Sequence, residues 1–154
     1  MSTPEQKLAE LKLTLPAIPK PLAKYRMAVR QGNALYLAGH LPVLFDGTFT
    51  KGRCGADLSV EQGYEAARQT GLAILTTLKT ELGSLDKVKR LIKTMGLVNC
   101  TPDFFDQPKV INGFSELMAT VFGDDVGVGA RSAFGAVSLP GNAAVEIEAM
   151  FEVA

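Results

Sequence analysis

The chain has 154 residues, with 16 Lys plus Arg balanced by 16 Asp plus Glu, and 47% of its residues are hydrophobic. That length and apolar content suit one domain with a real core and exclude a disordered chain. The zero net charge argues against a nucleic-acid scaffold, and no apolar run is long enough to span a bilayer.

Ser2-Thr3-Pro4-Glu5-Gln6 reads as a helix start, with a hydroxyl cap and a proline in the first turn. Leu8, Leu11 and Leu13 give this helix an apolar side, and Pro16, Pro19 and Pro21 then make an extended connector. Residues 1–22 are therefore an N-terminal extension of a single domain spanning 1–154. A hairpin follows: Tyr25–Arg30 alternates as a strand, Gln31-Gly32-Asn33 turns, and Ala34–Ala38 returns to end at Gly39-His40-Leu41-Pro42.

Residues 43–58 form a loop, and Ser59 with Gln62 makes a capping box for a long helix. Val60, Tyr64, Ala67, Gly71, Ile74, Leu75, Leu78 and Leu82 line one face of it, and Gly83 stops it. Gly63 and Gly71 imply a close approach, expected against a sheet. Val88–Val98 reads as a strand whose Lys87, Lys89 and Lys93 mark a solvated side. Asn99–Pro108 is a loop, and Val110–Phe122 is a second amphipathic helix carrying Ile111, Phe114, Leu117, Met118 and Val121. A final hairpin is expected from Arg131–Leu139 and Ala143–Val153, joined by Pro140-Gly141-Asn142.

This order predicts an α/β (α+β) domain, one sheet with both long helices packed on one face. The other side of the last strand carries Glu146, Glu148, Met150 and Glu152, a mixed surface that suits a subunit interface and predicts a homo-oligomer. Cys54 and Cys100 lack a CxxC spacing and read as reduced thiols of a cytoplasmic protein, and the polar N-terminus is unlike a signal peptide.

A single histidine, His40, excludes a His pair for acid/base work and any multi-His metal site. No Ser-His-Asp order, Walker loop or zinc spacing is present, and Gly127-Val128-Gly129 lacks the following helix of a dinucleotide site. The candidates left are Arg131, Glu146, Glu148, Tyr25, His40, Asn99 and Asn112, with backbone groups at Gly39. Arg131 stands among small and apolar residues and needs an anionic partner, either a protein carboxylate or a ligand's. In the expected hairpin it faces Phe151 while Glu146 faces Ala136, roughly 17 Å away at about 3.4 Å per residue. Arg131 is then left for another carboxylate, for a ligand, or for Glu146 of a neighbouring chain.

Tyr25, Ala38-Gly39-His40-Leu41-Pro42, Ala130-Arg131-Ser132 with Leu139-Pro140, and Val145-Glu146-Ile147-Glu148-Ala149 together resemble the Rid (YjgF-type) enamine/imine deaminases. These proteins were once described as perchloric-acid-soluble ribonucleases (endoribonuclease L-PSP). The run Gln107-Pro108-Lys109-Val110-Ile111-Asn112-Gly113 and the N-terminal extension resemble a divergent bacterial subgroup.

The resemblance implies a chorismate-mutase-like fold, a homotrimer with clefts between subunits, and hydrolysis of reactive 2-enamine or 2-imine acids to 2-keto acid and ammonia. It implies that Arg131 holds the substrate carboxylate and Glu146 positions or activates water. Tyr25 would line the cleft from the adjoining subunit, backbone near Gly39 and Ala133 would complete it, and Asn112 and His40 are further candidate contacts. No metal or organic cofactor is implied, and neither a nucleic-acid partner nor a membrane. A trimeric carboxylate-binding module without turnover is the alternative, with an endoribonuclease behind it. Ala38 replaces a common Ser, Ala133 a Cys, His40 a Gln, and Gly129 a Pro or His whose loss is expected to loosen the approach to the cleft.

Overall fold

The computed structural model describes all 154 residues. Helix α1 (Pro4–Glu10) is capped by the reciprocal bonds of Thr3 and Gln6. Strands β1 (Ala28–Gln31) and β2 (Ala34–Leu37) form the first hairpin. Helix α2 (Val60–Leu82) starts at the Ser59–Gln62 capping box and ends on left-handed Gly83, as its sequence dictates. Strand β3 (Val88–Asn99) and helix α3 (Gln107–Phe122) come next, then a short turn α4 (Asp124–Gly127), β4 (Ala130–Ala136) and β5 (Val145–Val153).

The sheet order is β1-β2-β5-β3-β4. Val145, Ile147, Ala149, Phe151 and Val153 of β5 lie under the helices at 6% exposure or less, in one core with Phe114, Ile111, Met118, Ile74 and Leu75. The alternate residues of β5 leave by the other side of the sheet, which no helix covers. One sheet with both long helices on one face is therefore what this chain builds.

Three expectations need correction. The last two strands are not paired with each other: β3 lies between them, antiparallel to β5 and parallel to β4. The turn at Pro140–Asn142 holds Gly141 and Asn142 at positive φ, and the chain then crosses β3 rather than folding back beside β4. The second helix starts at Gln107, because a proline in a first turn loses no intrahelical bond. Finally, Gly63 and Gly71 face α3, not the sheet. A Cβ on Gly71 would come within 2.7 Å of Leu117, and one on Gly63 within 2.9 Å of Val110.

Cys54 and Cys100 are buried free thiols in neighbouring backbone positions. Burial, with the Cys100 thiol beside it, pushes Cys54 up to about 11. No helix is long and apolar enough to cross a membrane.

Candidate functional site

Arg131 lies abreast of Thr94 on β3, which in turn lies abreast of Ala149 on β5. Ala149 belongs to the buried row, so Arg131 and Thr94 share the helix-covered side of the sheet. Glu146 lies abreast of Leu97, and Leu97 abreast of Phe134, on the uncovered side. The two charged residues are thus offset by three positions and two strands, about 14 Å between backbones, and point away from opposite faces. The hairpin register that first separated them was wrong, but the separation within one chain stands for this stronger reason.

The Arg131 guanidinium donates to the Ser115 hydroxyl at 3.1 Å and to the Pro108 carbonyl at 3.4 Å. Both acceptors are neutral. The ion pairs of the chain are Lys7–Glu10, Arg68–Glu65, Lys79–Glu5 and Lys109–Asp106, and none involves Arg131 or Glu146. Beside Arg131 is a cavity of about 240 Å³, lined by Leu91, Thr94, Asn112, Ser115, Gly127, Val128 and Gly129. Arg131 is the only charged residue of that lining, so the pocket favours an anion. A larger open groove of about 770 Å³ runs between α1, its connector and α2, and two of its three charges, Glu5 and Lys79, pair with each other, leaving Lys12.

The pocket rim is tightly packed. A Cβ on Gly129 would meet the Leu91 carbonyl at 2.4 Å, and one on Gly127 the Met118 carbonyl at 2.3 Å. Gly129 was expected to loosen this approach; instead it lets the loop lie directly on the β3 backbone.

Glu146 is half-buried on the uncovered side. Burial pushes its carboxyl above the usual range, and Glu148 two residues along the same face adds to the shift. Gly39, just past β2, fits flat against it: a Cβ there would fall 2.2 Å from Glu146 Oε1. His40 holds this segment in place through backbone bonds to Ile147 in both directions. Its ring is 2% exposed, with Nδ1 2.6 Å from the Ala38 carbonyl and Nε2 2.7 Å from the Thr77 hydroxyl. With both nitrogens engaged and burial lowering its pKa, His40 is held as a structural imidazole within this chain.

Of the other candidates, Asn112 joins Arg131 in the pocket. Ala133 follows Arg131 on the same side of β4 and packs partly against the core, with the outer edge of β4 unpaired. Tyr25 is 54% exposed ahead of β1. Glu148 is exposed, and the Asn99 amide nitrogen donates to Asn142 and to the Ala143 carbonyl while its buried oxygen has no partner. Thr94 and Ser115 were missed. Ser115 follows Asn112 by one helical turn, and Thr94 is a polar member of β3's buried set, so both carried a periodic signal.

Residues 5–152 match the sequence family described as "YjgF/chorismate mutase-like, putative endoribonuclease". The chain belongs to the YjgF/Rid family. Protein TCP17 of Trypanosoma cruzi is 40% identical over 146 residues, covering 95% of this chain and 91% of that one. The crystal structure of Atu1372 from Agrobacterium tumefaciens, described there as of unknown function, is 41% identical with a TM-score of 0.89, covering 99% and 94% of the two chains. A "putative endoribonuclease" from Shewanella oneidensis MR-1 is 29% identical with a TM-score of 0.93, covering 99% and 100%. RidA from an Antarctic Psychrobacter shares the fold at 21% identity and a TM-score of 0.59, covering 90% and 94%. The drop from about 0.9 to about 0.6 sets this chain with the first two structures, inside the family's chorismate-mutase-like fold.

Proposed function

We propose that this YjgF/Rid protein hydrolyses reactive 2-enamine and 2-imine acids to 2-keto acids and ammonia, in clefts between the subunits of a cyclic homotrimer. The observation that carries this reading is Arg131, a guanidinium beside a pocket that contains no carboxylate. A planar, bidentate grip on a substrate carboxylate uses the donors that Ser115 and Pro108 leave free.

The chemistry asks little more. A protonated imine carbon is already electrophilic, so orientation and water delivery suffice. Glu146 of the adjoining subunit takes a proton from water as its oxygen bonds to C2. The protonated Glu146 returns that proton to the amino group of the carbinolamine, and ammonia leaves as the C2 carbonyl forms and the hydroxyl proton passes to solvent. Its raised pKa suits Glu146 to accept that proton. Tyr25 and the backbone at Gly39 and Ala133 would close the cleft. No cofactor is required.

One observation favours a second reading, a carboxylate-binding module without turnover: no general base lies in the Arg131 pocket of a single chain. The ribonuclease reading asks more of these residues, since RNA cleavage needs acid and base groups at one phosphate and His40 has both nitrogens engaged.

The test is to generate 2-iminopropanoate in situ and follow pyruvate and ammonia. The wild type is expected to accelerate hydrolysis and Arg131→Ala to lose about 10²–10³-fold in kcat/KM, the worth of two charge-assisted hydrogen bonds. No acceleration over buffer with this or bulkier imino acids would sink the deaminase reading. Saturable carboxylate binding lost in Arg131→Ala would then support the second.

A further inference from the structure

We infer that the Arg131 pocket selects imino acids with a short, hydrogen-bonding side chain, a hydroxyl or a carboxamide, over aliphatic ones. The inference rests on the deaminase reading for its reaction and on the pocket's own groups for its selectivity.

Thr94 sits beside Arg131 at 2% exposure, lines the cavity, and takes no part in the side-chain hydrogen bonds of the chain. The Asn112 amide lines the same cavity and is likewise without an internal partner. The Ser115 hydroxyl accepts from Arg131 and keeps its own proton to donate. Two polar side chains without internal partners, and a third with a proton left to donate, therefore line one small space, with Leu91 and Val128 as its apolar residues.

A polar group sealed from water without a partner is costly. Water can satisfy them while the pocket is empty. An aliphatic side chain would displace that water and leave Thr94 and Asn112 without partners and the Ser115 proton unused. A hydroxyl or carboxamide would replace it bond for bond. Sites built this way reject the apolar analogue more strongly than an apolar pocket rejects a polar one. Size sets the other limit. At about 240 Å³, the cavity falls below the ~300–1,000 Å³ typical of drug-sized ligand sites and suits a short side chain rather than an aromatic one. The carboxylate would stay at the mouth on Arg131, with the side chain directed toward Thr94.

The isosteric imines of asparagine and leucine, generated in situ, separate the two classes. The wild type is expected to prefer the asparagine-derived imine by about tenfold in kcat/KM, and Thr94→Val to bring the ratio to about one. Because the hydroxyl has no protein partner, Thr94→Val should keep or raise the melting temperature. A sharp fall would mean the hydroxyl is structural and would overturn the inference.

The matching 2-keto acids, 2-oxosuccinamate and 4-methyl-2-oxopentanoate, give a readout that does not need turnover. A preference for 2-oxosuccinamate in calorimetry, lost in Thr94→Val, supports the pocket assignment even if no imine is hydrolysed. Equal affinities, a preference for the aliphatic acid, or no saturable binding of either would overturn it.

Discussion

Arg131 and Glu146 are placed in opposite kinds of surroundings. Arg131 stands at the mouth of a finished pocket, steadied by a hydroxyl and a carbonyl, its donors only partly used. Glu146 stands half-buried on an uncovered sheet face, without a cation, against the flat backbone of Gly39. One residue has a binding site but no base beside it. The other has the raised pKa of a base but no binding site. On the proposed function, one chain holds two halves of a site, turned away from each other by the pleat of one sheet. A second chain is the simplest way to bring them together.

The largest expected effect tests the Glu146 half. Glu146→Gln should lower kcat by about 10²–10⁴-fold, the usual worth of a general base, while 2-keto acid binding at Arg131 persists. Loss of binding and turnover together would mean that the two halves are not separate functions. The pH dependence follows from the raised pKa. Activity should fall as pH drops through a value above the ordinary carboxylate range, because only the ionised carboxyl accepts a proton.

Stability runs the other way. Folding keeps the Glu146 proton more tightly than the unfolded chain does. Its charge therefore costs nothing at a pH below the unfolded value and penalises the fold as pH rises through the folded one. Glu146→Gln should consequently melt higher than wild type at pH 7 and match it near pH 3.

The two rim glycines sharpen the same contrast. At Gly129 the obstacle is the Leu91 carbonyl, a backbone atom that cannot move aside. Gly129→Ala should cost about 1–3 kcal/mol in chemical denaturation. At Gly39 the obstacle is the far end of Glu146, which can swing away. Gly39→Ala should cost less stability than Gly129→Ala but displace the carboxylate, lowering kcat. If Gly39→Ala were the more destabilising of the pair, the picture of a built pocket facing an adaptable carboxylate would be wrong.

Much of this was legible in the residues. Ser59 with Gln62 and Gly83 bounded α2, and the Arg131, Glu146 and Gly39 motifs pointed to the family. The pairing of β4 was not legible. A proline-glycine turn between two apolar runs reads as a hairpin, and only tertiary packing inserts β3 between them. His40 could not be resolved from sequence either, since a buried imidazole and a ligand contact use the same residue. The Thr77 and Ala38 bonds show both ring nitrogens engaged within the chain. The alternation of β3 marked Thr94 as inward-facing, but a sequence gives no hint of whether an inward hydroxyl has a partner.

The central claim, that Arg131 of one chain works with Glu146 of another, has a direct test. Arg131→Ala and Glu146→Gln proteins, each inactive alone, are mixed, dissociated and reassembled. If the site lies between chains, about a quarter of the clefts in a random one-to-one assembly should pair an intact arginine with an intact glutamate, and that share of imine hydrolysis should return. Mixed oligomers that remain as inactive as either parent would contradict the account.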